Sequence, residues 1–255
     1  MQFYSYRWAA VCLALCAAAY QAPAQSQNPP GAQAPQPAPK LTGFPWQNET
    51  LHYTMSWQSG LSVGDVTFNA HKTGSGWEFD IAANAGVPGF SINDHYRSLS
   101  GPAPDLCSIE LERDTTHAGR SGREKTTFDQ KAGSADRTTL LPEGGGKSTF
   151  SIGTCARDAI AYSYFAREEL GQGRVPPSVT TYFGSAYSVS MVYTGAQDIA
   201  AGTKKATTDH VNVSVKGPRS DFHFEIFYAR DPARTPLQIR VPLSMGTFSL
   251  DLVRP

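Results

Sequence analysis

One stretch of this chain has the makings of a helix, and almost everything around it alternates between polar and apolar residues. The helical stretch runs from Thr154 to Gly171. Thr154 is suited to cap its start, because a hydroxyl can accept from an orphan N–H of the first turn. Asp158 falls in that turn, where the positive end of the helix dipole favours a carboxylate, and Gly171 and Gly173 supply a stop. Between these ends Ala159, Ile160, Ala161, Tyr162, Tyr164, Phe165 and Ala166 leave almost no polar face. A helix apolar on every side has to be enclosed by other elements. The expectation is that Ile160, Tyr164 and Phe165 are buried against a sheet, while Arg157 and the Arg167-Glu168-Glu169 end reach water. Two readings stay open: the helix is a core plug, or its tyrosines line a ligand cavity.

The flanking segments have the period of two that marks half-buried strands. Leu51, Tyr53, Met55 and Trp57 alternate with polar residues, as do Trp77, Phe79, Ile81 and Ala83. After the helix the same pattern returns at Tyr187, Val189, Met191 and Tyr193, at Val211, Val213 and Val215, and at Phe222, Phe224, Ile226 and Tyr228. The apolar positions change parity at Gly64-Asp65, which predicts a β-bulge. Closely spaced turns, including Gly144-Gly145-Gly146, argue for antiparallel hairpins. One helix among a dozen or so strands implies a mainly β fold: a strongly curved antiparallel sheet or partly closed β-barrel, with one central α-helix packed on the concave side.

The first part of the chain carries a different signal. Arg7 precedes an apolar run from Trp8 to Tyr20, followed by Ala22-Pro23-Ala24. Residues 1–24 therefore have the layout of a secretory signal peptide cleaved before Gln25. The run is too short for a transmembrane span, and Leu15 is not the small residue that a lipidated Cys16 requires before it. Residues 25–43, rich in Pro, Gln and Ala, are expected to form a disordered linker, and 44–255 a single β-rich domain. The implied destination is the periplasm or envelope. With 22 basic and 22 acidic side chains the chain lacks the basic surface that nucleic-acid binding needs.

The order of several short motifs resembles a bacterial envelope family catalogued as domain of unknown function 3108. The resemblance rests on Leu51-His52-Tyr53-Thr54-Met55-Ser56-Trp57, Gly60, Val63-Gly64-Asp65-Val66-Thr67-Phe68 and Asp94-His95-Tyr96-Arg97-Ser98. It continues through Thr127-Phe128-Asp129, the helix at Asp158-Ala159 with Tyr164, and Pro236-Leu237-Gln238-Ile239-Arg240. It implies an exported, β-rich protein and no particular chemistry.

Cys107 and Cys155 are the cysteines beyond the leader, and in an oxidising compartment they are expected to form a disulfide. A reactive thiol at Cys155, near a helix N-terminus, is the other reading. Asp94-His95-Tyr96-Arg97 is the densest polar cluster, and on a strand His95 and Arg97 share one face. Together with a carboxylate they define a possible polar site. His52, His71, His117, His210 and His223 lack metal-ligand spacing along the chain, and no nucleophile elbow, H-E-x-x-H or P-loop occurs. Neither a metal nor a cofactor is expected. The main functional expectation is a non-enzymatic binding module for an apolar or lipid-like small molecule, held by Tyr162, Tyr164, Phe165 and Trp57. An envelope hydrolase using the Asp94–Arg97 region and a purely structural role are the alternatives. A continuous apolar cavity beside the helix favours binding, and a polar cleft with convergent groups favours catalysis.

Overall fold

A computed structural model of the chain describes residues 44–87, 90–201, 204–218, 221–243 and 246–253. Residues 1–43, where a leader and a linker are expected, lie outside the described residues. The first arm consists of eight strands: β1 (Glu49–Trp57), β2 (Ser62–Lys72), β3 (Trp77–Val87), β4 (Phe90–Ser100), β5 (Ser108–His117), β6 (Arg120–Asp129), β7 (Ser134–Leu141) and β8 (Lys147–Ser151). A two-residue strand, β9 (Arg157–Asp158), leads into helix α1 (Ala159–Gly171). The second arm follows as β10 (Val179–Tyr182), β11 (Ala186–Ala201), β12 (Lys204–Lys216), β13 (Asp221–Ala229), β14 (Pro236–Leu243) and β15 (Gly246–Leu252).

All strands belong to one 15-stranded sheet, ordered β8-β7-β6-β5-β4-β3-β2-β1-β15-β14-β13-β12-β11-β10-β9. Each arm is an antiparallel meander, and the first and last strands close the middle by pairing Tyr53 with Leu252 and Trp57 with Phe248. The exception is β9, which runs parallel to β10, so that α1 is the crossover of a small βαβ unit.

This order forces the sheet to curl. Strands β8 and β9 are its opposite edges, yet only residues 152–156 join them. Six residue steps span at most about 22 Å, whereas fifteen flat strands would be roughly 65 Å across. The joining segment is fastened to the first arm at both ends, by Ile152 N–H to the Gly133 carbonyl of the β6–β7 turn (2.9 Å) and by Ser108 N–H of β5 to the Ala156 carbonyl (2.9 Å). The Cys107–Cys155 disulfide lies at the same junction, with Cα atoms 4.7 Å apart.

The expected bulge is present: the β1–β2 register shifts between Met55, opposite Gly64, and Ser56, opposite Ser62, leaving Val63 as the extra residue. Val63 and Val66 are both buried despite opposite parity, which is what an inserted residue permits. The glycines at 144–146 form the β7–β8 hairpin turn, with Gly144 and Gly146 at φ 74° and 95°.

The helix starts later than its sequence suggests. Thr154 lies in a turn, and the N-cap is Asp158, whose Oδ1 accepts from Ile160 N–H (2.8 Å) and Ala161 N–H (3.1 Å). Its Oδ2 accepts from the hydroxyls of Ser98 (2.7 Å) and Ser108 (2.6 Å), so one buried carboxylate ties the helix start to β4 and β5. The absence of a wet face has a direct cause. Ile160, Ala161 and Tyr164 join a core with Phe79, Leu111, Phe128 and Tyr182, while Tyr162, Ala166 and Leu170 join a second core with Val211, Val213, Ile226 and Tyr228.

Two expectations about this helix need correction. Phe165 is only half-buried, touching both cores under the Arg157 guanidinium, which lies 3.8 Å from its ring centroid. Arg167 and Glu168 do not reach water but are buried, because Arg167 finds a carboxylate partner in Glu49 of β1.

Candidate functional site

Between α1 and the second arm lies a cavity of about 290 Å³. Strand alternation builds one wall: Val189 and Met191 of β11, Val213 and Val215 of β12, and Phe224 and Ile226 of β13 point the same way. The helix supplies the other wall through Ala159, Tyr162 and Ser163. Ala159 and Ser163 are small, so a cavity remains where larger side chains would meet the strands. Phe222 stands at the rim and is 41% exposed.

Polar groups here are few. Ser163 donates its hydroxyl to the Ile160 carbonyl (2.7 Å), as helix serines do when turned away from solvent. The buried Tyr162 hydroxyl has no hydrogen-bond partner, and burial pushes its pKa up to about 12. The phenol is thus neutral near pH 7. None of the lining residues is acidic, basic, histidine or cysteine. The arrangement can enclose an apolar group, with the hydroxyl-bearing residues Tyr162, Ser163, Thr181, Tyr187 and Tyr228 among its lining.

At one end the cavity wall is held from the first arm. Arg113 pairs with Glu124 (2.9 Å) and stacks 4.5 Å from the ring centroid of Phe183, a lining residue, while Arg137 donates to the Gly184 carbonyl. Gly184 has φ 74°, the left-handed region that favours glycine, and a Cβ there would displace the Arg113 guanidinium.

Of the four aromatic residues singled out from sequence, only Tyr162 lines this cavity. Tyr164 faces the first core, its ring stacked 4.3 Å from that of Phe79. Phe165 lies beneath Arg157. Trp57 packs edge-on against Phe248 (4.3 Å) and borders a separate cleft of about 650 Å³ with Glu225, Gln238, Arg240 and Asp251. The cavity's strand residues were visible in sequence only as apolar alternation, which marks core and ligand walls alike.

The Asp94–Arg97 cluster divides as strand geometry requires. Asp94 accepts from the Tyr96 hydroxyl (2.6 Å) and meets His117 Nε2 at 2.9 Å on the face that carries Ile81. On the opposite face His95 Nε2 lies 3.3 Å from Asp80 Oδ1, and Arg97 pairs with Glu78 at 2.5 Å. That hydrogen bond holds the Glu78 carboxyl below its usual range. His71 joins the same face, 3.3 Å from Glu78. Spacing along the chain gave no sign of this grouping, because it arises from pairing across strands.

A single curled, mainly antiparallel sheet with one helix among the described residues defines a β-barrel-like protein. The chain belongs to the family described as Protein of unknown function (DUF3108), which it matches over residues 52–253. It is similar in fold to the crystal structure of a β-barrel-like protein of domain of unknown function DUF1849 from Brucella abortus. That likeness has a TM-score of 0.59 at 7% identity, over 84% of this chain and 97% of the other. No curated protein matches the chain. Among the described residues no helix is long and apolar enough to cross a membrane.

Proposed function

We propose that this protein is an exported envelope component that binds an apolar or lipid-like small molecule, without catalysis, in the cavity between α1 and β11–β13. The observation that carries this reading is the apolar wall of strand side chains that faces Ala159, Tyr162 and Ser163 of the helix across open space. The helix lies on the concave side of the curled sheet, where its small residues keep space open. At about 290 Å³ the cavity is near the lower end of small-molecule sites, which run from roughly 300 to 1,000 Å³. That size suits a single short acyl chain or a compact ring system. Export is supported by the A-x-A pattern at Ala22-Pro23-Ala24 behind a short apolar run.

The hydrolase alternative draws less support. Asp94 stands on the opposite face of β4 from His95 and Arg97, and the carboxylates that do meet them, Asp80 and Glu78, are each engaged in an ion pair.

The test is mass spectrometry of organic extracts from the protein purified out of periplasm, alongside titration with a fluorescent naphthylamine probe. The expected result is a co-purifying apolar compound, and probe binding weakened about tenfold by Met191→Trp, a half-buried lining residue whose enlargement narrows the cavity, in a variant that circular dichroism shows to be folded. Val213→Trp, at a buried position, should weaken it likewise at some cost in stability. Probe binding unchanged by Met191→Trp would overturn the assignment of the site.

A further inference from the structure

We propose that His71, Glu78 and Asp80 form a binding site for a divalent metal ion of the zinc type, on the face of the sheet away from the helix. The β2–β3 hairpin creates the grouping. Its turn is pinned by Thr73 N–H to the Gly76 carbonyl (2.9 Å) and by Gly76 N–H to the Thr73 hydroxyl (3.1 Å). That register sets His71 directly opposite Glu78 and places Asp80 two residues further along the same face. Phe79, between them, points the other way and stacks on Tyr164 of the helix.

One ligand atom from each of the three lies within 4.8 Å of the other two. His71 Nε2 and Glu78 Oε1 are 3.3 Å apart. Two ligands each about 2.1 Å from a tetrahedral zinc are separated by about 3.4 Å, so this edge needs little movement. The carboxylates are held rather than loose: their side chains are 18% and 16% exposed. His95 Nε2, 3.3 Å from Asp80 Oδ1, orients that carboxylate from the next strand, the kind of outer support that ligating groups have. A pocket of about 280 Å³ bordered by Asn48, Asn69, His71 and Asp80 leaves room for a fourth ligand from solvent or substrate. A mixed imidazole and carboxylate set selects zinc-like transition metals over magnesium or calcium, which take oxygen ligands alone.

Arg97 sharpens the test. It shares Glu78 with the proposed metal, at 2.5 Å, and must yield for Glu78 to bind a cation in full. Calorimetric titration of the disulfide-intact mature protein with zinc chloride should give one ion per chain, with a dissociation constant on the order of micromolar. His71→Ala and Asp80→Asn should each weaken binding at least about tenfold. Arg97→Gln should tighten it several-fold by releasing Glu78. His52→Ala and His223→Ala, on other strands, should leave it unchanged. Circular dichroism melts confirm that each variant is folded; His71 is 44% exposed, so its loss does not threaten the core. No one-site binding by the wild-type chain, equal losses in the two control variants, or an Arg97→Gln affinity no tighter than wild type would each overturn the proposal.

Discussion

Arg167 of the helix donates to both carboxylate oxygens of Glu49, Nη2 to Oε2 at 3.1 Å, across 118 residues of sequence. The guanidinium lies 4.9 Å from the Tyr164 ring centroid and 5.4 Å from that of Phe44, and its Nε donates to the Ala233 carbonyl (3.0 Å). One cation thus fastens the helix to β1 and to the β13–β14 turn. Removing one partner of such a buried pair strands the other charge. Arg167→Met should cost about 3 kcal/mol, the low end of the range for buried pairs, because Glu49 keeps a wet edge. Urea unfolding of Arg167→Met, Glu49→Gln and the double variant measures it. The double variant should lose less than the two single losses added together.

Two neighbouring aromatic residues of the helix should respond very differently to truncation. Tyr164 is buried and stacked on Phe79, so Tyr164→Ala should cost about 3–5 kcal/mol. Phe165 is half-buried, packed at the edge of both cores under Arg157, so Phe165→Ala should cost only about 1–2 kcal/mol. Thermal melts of the two variants, side by side, check the order.

His210 makes stability depend on pH. Its ring stacks 4.6 Å from Phe227, and burial depresses its pKa, with Glu225 opposing and Arg240 adding to the shift. Its Nδ1 meets the Thr194 hydroxyl at 2.7 Å. An unfolded histidine titrates near pH ~6.5. Below that pH the unfolded chain binds more protons than the folded one, so this contribution is fully present above ~6.5 and is lost as pH falls toward the depressed folded value. The urea midpoint should therefore drop between pH 7.5 and 5.5, and drop less in His210→Phe, which keeps the stacking and cannot titrate.

Reduction of Cys107–Cys155 should destabilise the domain substantially. The bond closes a loop with a sequence separation of 48 residues, worth roughly 4 kcal/mol when chain entropy alone is counted. Equilibrium unfolding of the oxidised protein and of Cys107→Ser/Cys155→Ser measures the difference. Thiol titration of the unfolded, unreduced mature protein should find no free sulfur.

The alternation of apolar residues by itself determined the strands and the bulge near Gly64, because side-chain direction in a strand is a local property of the backbone, and the almost unbroken apolar run before Gly171 marked the helix. Cys107 and Cys155 were expected to pair from the sequence, with a reactive Cys155 as the other reading, and the structure joins them. The helix start was not legible: Thr154 has the right hydroxyl, but Asp158 caps because Ser98 and Ser108, from distant strands, solvate its buried carboxylate. Arg167 looked like a solvated helix end, and only Glu49 brought across the curled sheet allowed it to be buried. The same holds for the candidate sites. Tyr162 and Tyr164 are two residues apart on one helix, yet one borders a cavity and the other fills a core, which depends on the strands each faces. His71 and Glu78 gained each other through hairpin register. Local pattern sets which way a side chain points; what it meets there is decided by pairing between segments far apart in the chain.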